Sequence, residues 1–189
     1  MTRKPTSLPF TGDPEADALI AADPLALLIG YTLDQQVTVQ KAFSGPLALS
    51  QRLGGLDAVA IASMDPSKLE AAFREKPALH RFPGTMATRV QDLCRHVASV
   101  YGGHAGRIWD EAISGDDLEQ RLLAIPGIGA MKAKSLMAVL ANRFGVRPPG
   151  WEAVMPDYPT LGDVDSAEAL ADYQARKRAH KAELRAKAG

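Results

Sequence analysis

The stretch Leu122-Leu-Ala-Ile-Pro-Gly-Ile-Gly-Ala-Met-Lys-Ala-Lys-Ser-Leu136 decides how the rest of the chain is interpreted. An apolar helical end runs into Pro126-Gly127-Ile128-Gly129, and a second helical pattern begins at once beyond it, which predicts a helix-hairpin-helix. We expect both glycines to have positive φ and to leave their N–H groups uncovered, so that a phosphate can approach the hairpin and the next helix. A plain αα-hairpin, whose glycines only cap one helix and start the next, is the alternative.

The side chains around this turn fit a contact with a nucleic-acid backbone. Ile128 stands between the two glycines, where it is predicted to plug into the helices below. Lys132 and Lys134 place positive charge just beyond the turn. Gly127, Ile128, Gly129, Lys132 and Lys134 are therefore the predicted nucleic-acid-binding residues of this segment.

Composition limits what else the chain does. Its 189 residues are 46% hydrophobic, which is enough for a real core, and its 22 basic residues balance 22 acidic ones. Nucleic-acid binding must therefore come from a local patch rather than from overall charge. Cys94 is the only cysteine, which excludes intrachain disulfides and a cysteine-rich metal site, and it is expected to be a buried thiol. No apolar run approaches the roughly 20 residues that span a bilayer, so we expect a cytoplasmic protein without a membrane partner.

The pattern of the rest of the chain predicts helices joined by turns. Asp-Pro pairs at 13–14, 23–24 and 65–66 are typical helix starts, and no β-type alternation of any length appears. The predicted fold is therefore all-α, a two-lobed helical bundle. Predicted helices cover 13–22, 25–31, two short pieces of 37–53 broken at Ser44-Gly45-Pro46, 56–63, 66–74, 85–101, a segment capped by Asp116-Asp117 that leads into the hairpin, 130–144 and 165–186.

Four segments follow from these patterns. Residues 1–12 are an extended N-terminal arm, 13–145 the helical domain, 146–164 a loop rich in proline and glycine, and 165–189 a C-terminal helix that packs back on the domain. The end of that helix is basic. It is either a contact with DNA phosphates or a solvated tail.

A second stretch gives the hairpin its context. Leu27-Leu-Ile-Gly-Tyr-Thr-Leu-Asp-Gln-Gln36 is an apolar helix that runs into polar residues without a glycine or proline break. That helix, four or five further helices and then the hairpin resemble, over about 24–145, the helix-hairpin-helix (HhH-GPD) superfamily of base-excision DNA glycosylases, the group of endonuclease III and the alkyladenine glycosylases. The resemblance implies an enzyme that removes a damaged base from double-stranded DNA. It also implies a nucleoid-associated monomer without a nucleotide cofactor.

The resemblance assigns a role to the amides after the apolar helix. In these enzymes the target nucleotide rotates out of the duplex, and a side chain fills the hole in the base stack. Gln35 or Gln36 would be this filler. The alternative for both is an amide that caps the end of the preceding helix.

One position separates two subclasses of this superfamily. Members that also cleave the strand carry a Schiff-base lysine two residues after the second hairpin glycine, where this chain has Met131. Lys132 lies one residue further, about 100° around the helix, and is expected to point away from the pocket. The chain is thus expected to be monofunctional. It also lacks the cysteines for the iron–sulfur cluster of the endonuclease III branch, so we expect no cofactor. A monovalent cation bound at the hairpin is the alternative.

The catalytic carboxylate is the main departure from the family pattern. The family places an aspartate soon after the second hairpin helix, but here Glu152 is the only acidic residue between Ala130 and Pro156, and it is expected in a loop. Asp163 and Asp165 rank equally as catalytic candidates, ahead of Asp157 and Glu152. Asp165 opens a helix as the family aspartate does, although an aspartate there followed by Glu168 is also a routine N-cap. Asp163 is expected to reach the hairpin without acting as a cap.

Other functions stay open at this stage. A non-catalytic relative that recognises a lesion or an abasic site would use the same hairpin, and a scaffold that binds another protein through residues 145–163 is a weaker alternative. If the chain does flip bases, four aromatic residues are either stacking surfaces or core: Tyr31, Phe82, Trp109 and Trp151.

Overall fold

The computed structural model describes residues 4–189, and all regular secondary structure in that range is helical, as predicted. It comprises eleven α-helices and one 3₁₀ turn, Leu161–Asp163. The helices are α1 Pro14–Ala22, α2 Pro24–Leu33, α3 Val39–Leu53, α4 Ala58–Ser63, α5 Pro66–Arg74, α6 Pro83–Tyr101, α7 Arg107–Asp110, α8 Gly115–Leu123, α9 Ala130–Arg143, α10 Trp151–Val154 and α11 Ala167–Ala188.

Three helices begin at the Asp-Pro pairs, as the sequence predicts. The Asp13 carboxylate accepts from the N–H groups of Glu15 and Ala16, and Asp23 and Asp65 cap α2 and α5 in the same way. Proline at the first helical position has no N–H to leave unpaired, and its φ already suits a helix. Local chemistry alone therefore sets these three boundaries.

The predicted break at Ser44-Gly45-Pro46 is wrong, because α3 runs through it. Pro46 removes one N–H from the helix, but Gly45 lies where α3 crosses α2, and a Cβ there would come within 2.4 Å of the Leu33 side chain. The glycine thus serves close helix packing rather than a turn. The result is a single 15-residue helix behind α2.

The helices form two lobes. One lobe is α1–α6, with α2 at its centre, where every residue from Leu25 to Leu33 is buried; the other is α7–α11 with the 3₁₀ turn. Side chains join them across the gap. The Tyr31 hydroxyl lies 3.0 Å from Ser135 Oγ, and the amides of Gln40 and Gln174 exchange hydrogen bonds of 3.1 and 2.7 Å.

The predicted N-terminal arm contributes to the core over its described part. Residues 4–12 have no regular structure, but Leu8 and Phe10 are fully buried, and Phe10 packs edge-on against Phe43. The first three residues of the predicted arm lie outside the described range. Cys94 is buried, and burial raises the pKa of its thiol to about 12.

The second lobe differs from the sequence expectation at its helix starts. Ser114, not Asp116 or Asp117, caps α8, while both aspartates lie in the first turn at the favourable end of the helix dipole. The predicted loop 146–164 contains α10 and the 3₁₀ turn. Gly162 of that turn packs on the backbone of Ala138, where a Cβ would come within 2.5 Å.

The C-terminal helix is anchored only at its beginning. Ser166 caps α11, Leu170 is its one buried residue, and every residue from 175 to 189 is exposed. In residues 4–189 no single helix is long and apolar enough to cross a membrane; the bent pair α1–α2 passes that length and composition test together.

Candidate DNA interface and active site

The hairpin is a backbone structure with one left-handed glycine. Gly127 has φ +84°, a left-handed conformation that favours glycine, whereas Gly129 has the ordinary extended values φ −84° and ψ 179°. The expectation that both glycines have positive φ is therefore wrong for Gly129. A Cβ at either position would meet no atom within 4 Å among the described residues. At Gly129, which caps α9, neither backbone conformation nor packing requires a glycine, and the first turn of α9 lies open.

Ile128 anchors this turn to the protein, as predicted. It is 4% exposed and packs in the core together with Ile125. Lys134 also faces inward: its ammonium donates to Glu119 Oε1 at 2.7 Å and to the carbonyl of Val154 at 2.6 Å. A phosphate at Lys134 would have to displace Glu119.

The loop after α2 faces the hairpin and is held by side chains from far along the chain. His80 Nδ1 accepts from the N–H of Phe82, so Nε2 carries the proton and donates to the carbonyls of Leu33 at 3.1 Å and Gln35 at 2.9 Å. Burial lowers the pKa of His80, which favours this neutral form. Arg89 donates to the Gln35 side chain.

The two predicted fillers differ because of these bonds. The Gln35 side chain is held by Arg89, whereas Gln36 is exposed and has φ +54°, the only positive φ of a non-glycine residue in the described chain. Such strain costs about 1–3 kcal/mol and persists where surrounding structure imposes it. Gln36 therefore stands at the tip of a braced loop, with its amide free in solvent.

A groove separates this loop from the hairpin. Gln35, Arg89 and Asp92 form one wall, and residues 123–129 form the other. The predicted phosphate-binding turn and the predicted stack-filling loop thus border the same depression.

A carboxylate that the sequence did not single out lies beside this groove. Asp34 is the half-buried C-cap residue of α2. Burial raises the pKa of its carboxyl above the usual range, against the opposing effect of three nearby ammonium groups, those of Lys177, Lys132 and Lys181. One negative charge is therefore surrounded by several positive ones at the end of a buried helix.

Lys132 points toward this carboxylate rather than away from it, contrary to its expected orientation. Its Nζ is buried and has no hydrogen-bond partner among the described residues. Burial lowers the pKa of this lysine, while the charge of Asp34 acts in the opposite direction. Met131, by contrast, is 72% exposed, and the Tyr158 hydroxyl donates to its sulfur at 3.8 Å.

Asp34 and Lys132 both occupy helix ends that disfavour their charge. A carboxylate at the C-terminus of α2 and an ammonium in the first turn of α9 each oppose the helix dipole. Arg89 and Lys177 lie near enough to lower the pKa of Lys132 further. Folding alone gives no reason for this surplus of positive charge, but an anion placed in the cleft would balance it.

Two tyrosines complete the surroundings of the cleft. Burial raises the pKa of Tyr173, and the charge of Asp34 and the groups of Tyr158 and Asp163 add to that rise. Tyr158 is 40% exposed. Both tyrosines therefore lie within electrostatic reach of the site, at positions the sequence did not indicate.

The four predicted carboxylates are all exposed. Asp163 Oδ2 accepts from the N–H of Thr160 at 2.8 Å, so it does act as a cap, contrary to expectation, although it reaches Tyr173 electrostatically. Asp165 is not a cap, because Ser166 begins α11. Glu152 and Asp157 are exposed residues of the segment between α9 and α11.

The predicted stacking aromatics divide into core and surface. Tyr31 and Trp109 are buried, and Tyr31 packs edge-on against Phe43. Phe82 and Trp151 are accessible, each with an arginine guanidinium over its ring, Arg81 at 5.0 Å and Arg147 at 4.9 Å.

Comparison with known proteins adds one finding. The family model described as HhH-GPD superfamily base excision DNA repair protein matches residues 29–188, which include α2 from Ile29, the hairpin and all of α11. No curated protein and no solved structure matches the chain.

Proposed function

The chain belongs to the HhH-GPD superfamily of base excision DNA repair proteins, and from this premise we propose that it is a monofunctional DNA glycosylase. It hydrolyses the N-glycosidic bond of a damaged base in duplex DNA and leaves an abasic site. The observation that carries the proposal is the half-buried carboxylate of Asp34 beside the groove, faced by an unpaired ammonium from the hairpin helix.

DNA would lie across the groove between the hairpin and the α2 loop. The open first turn of α9 offers backbone N–H groups to a phosphate, and Gly129 leaves room for it. Lys132 supplies positive charge one turn away. These groups bind backbone and carry no base preference.

The Gln36 side chain is the proposed stack filler. It is exposed, and the loop that carries it is held by the hydrogen bond from His80 to the carbonyl of Gln35. A long amide can also hydrogen-bond the base left without a partner. Gln35 then holds the loop through Arg89. A flipped base costs a few kcal/mol to extrude, least when it is damaged or mispaired, and it would meet Tyr158 and Tyr173 beside the cleft.

The chemistry requires a negative charge near the sugar. As the bond to the base breaks, positive charge develops on the sugar ring, and a fixed carboxylate in a water-poor site stabilises it. Water then adds to the anomeric carbon and loses a proton. We place Asp34 first in this role because it is half-buried, Asp163 second because it reaches Tyr173, and Asp165 third.

Met131 supports the monofunctional assignment. It occupies the position at which strand-cleaving relatives would carry their Schiff-base lysine, and a thioether cannot form that adduct. Hydrolysis by water is then the route that the chain's residues support.

Purified full-length protein and duplexes with single deaminated, alkylated or oxidised bases test the proposal. We expect free base from at least one lesion, and strand breaks only after alkali. A borohydride-trapped covalent adduct that disappears in Lys132→Gln would overturn the monofunctional claim and assign strand cleavage to Lys132.

A second function is favoured by the exposure of all four predicted carboxylates. The chain would then be a non-catalytic relative that recognises a lesion or an abasic site. That alternative predicts salt-dependent, lesion-selective duplex binding that weakens in Lys132→Glu, without base release from any substrate in the panel.

A further inference from the structure

Charge is divided very unevenly along this neutral chain. Residues 176–189 hold six of the 22 basic residues and one of the 22 acidic ones, which gives this segment +5 and leaves residues 1–175 with −5. The basic residues are Arg176, Lys177, Arg178, Lys181, Arg185 and Lys187. An acidic body repels DNA over a Debye length, about 8–10 Å at physiological salt.

Packing within the chain does not account for this segment. Every residue from 175 to 189 is exposed, and the last buried residue of α11 is Leu170. Leu184, 54% exposed, is the one large apolar side chain after Tyr173, so the helix has no apolar stripe to bury. At 1.5 Å per residue it extends roughly 20 Å beyond the core.

The segment starts at the cleft. Gln174 is bonded to Gln40 of the other lobe, which fixes the direction of the helix there. Lys177 and Lys181 lie near enough to Asp34 to lower the pKa of its carboxyl, so the first turns of the basic segment lie close to the site. The remaining cations continue outward from that point.

We propose that residues 176–189 form a second DNA-binding surface that tracks backbone phosphates beside the cleft and supplies most of the chain's attraction to duplex DNA. The proposal rests on the proposed function only in taking duplex DNA as the ligand. The hairpin then fixes the register of the protein on DNA, while the helix supplies the long-range attraction that residues 1–175 lack.

The test uses the full chain with Arg178→Glu and Arg185→Glu combined, which leaves Lys177 and Lys181 beside Asp34 unchanged. The control, Lys68→Glu with Lys76→Glu, makes the same charge change at exposed positions in and just after α5. Circular dichroism checks that both variants keep their helical content. Affinity for an undamaged duplex is measured between 50 and 200 mM salt.

We expect at least tenfold weaker binding by the tail variant, and a salt slope shallower by about 1.8, because each phosphate contact contributes roughly 0.9. The control should keep the wild-type slope. Equal slopes for the tail variant and the control would overturn the proposal. So would tail-dependent binding of heparin without tail-dependent binding of double-stranded DNA.

Binding is independent of base release, so the two proposals fail separately. Excision with an unchanged salt slope would refute only the DNA-binding role of the tail, and a reduced slope without excision from any lesion would refute only the enzyme.

Discussion

The hairpin and the loop after α2 face each other across one groove, but they are built in different ways. The hairpin is held by consecutive residues: Gly127 provides the turn and Ile128 the anchor. The loop is held from a distance, by His80, 45 residues after Gln35, and by Arg89, 54 residues after it. A turn made of backbone can be recognised in a short motif, whereas a braced loop depends on the whole fold.

The hairpin and the loop after α2 also differ in whether each residue has the backbone conformation and burial that its type prefers. The hairpin satisfies these preferences, with glycine at the left-handed position and an isoleucine in the core. The loop after α2 violates them, with a positive φ at Gln36 and the half-buried carboxylate of Asp34 at the C-terminus of α2. Residues that oppose local rules are expected where function, rather than folding, selects them. The comparison predicts that the end of α2 and the loop after it carry the chemistry, whereas the hairpin binds the DNA backbone.

The largest effect is expected from Asp34→Asn. The variant keeps the size of the side chain and removes its charge, so base release at saturating protein should fall at least 100-fold, the usual scale for one electrostatic catalytic group. Asp163→Asn and Asp165→Asn are the matched comparisons, and we expect smaller losses from both. A greater loss from either one, with Asp34→Asn active, would move the catalytic role to that residue.

Stability should change in the opposite direction to activity. The pKa of Asp34 is raised in the folded state, so its stabilising contribution is complete below the unfolded pKa of about 3.9 and is lost as pH rises through the folded value. At pH 7 the ionised carboxylate is disfavoured at this half-buried site, whereas asparagine cannot ionise and remains neutral. The melting temperature of Asp34→Asn should therefore equal or exceed that of the wild type at pH 7, with the difference shrinking toward pH 4. A lower melting temperature at pH 7 would contradict this account.

This contrast also explains what could be predicted from sequence. The all-α fold, the Asp-Pro helix starts and the buried Ile128 follow from neighbouring residues, and each is confirmed. The continuous α3 does not, because Gly45 gives the same local signal whether it turns the chain or lets α2 approach. Only the tertiary contact decides between the two.

The candidate site was predictable only in part, for the same reason. Asp34 belongs to the same polar run as Gln35 and Gln36, but the lysines near its carboxylate come from α9 and α11. Helix geometry predicts that Lys132 turns away, because it gives the angle between neighbouring side chains but not the position of the facing lobe. A carboxylate at the C-terminus of an apolar helix, where the dipole disfavours it, was the signal available in the sequence.

Intermediate effects on stability and duplex affinity are expected when each hairpin glycine is substituted singly. Gly129→Ser places a hydroxyl where it caps the first N–H groups of α9, so stability should hold or rise while duplex affinity falls about tenfold, since those donors are no longer free for a phosphate. Gly127→Ala should instead lower stability by about 1–2 kcal/mol, the cost of a left-handed alanine. Thermal melts and binding isotherms separate these outcomes, and unchanged affinity in Gly129→Ser would exclude phosphate from that helix end.

The smallest effect is expected from Gln36→Ala, in the loop after α2. Its side chain is exposed and makes no hydrogen bond among the described residues, so stability and affinity for undamaged duplex should stay at wild-type values. Single-turnover base release should fall several-fold, because the vacated stack is left unfilled. Gln35→Ala should lower the melting temperature instead, since it removes the partner of Arg89, a charged bond of about 1.5–3 kcal/mol. If Gln35→Ala slowed base release without lowering stability and Gln36→Ala had no effect, the two roles would be reversed: Gln35 would leave Arg89 to enter the stack, and the strained Gln36 would only shape the turn.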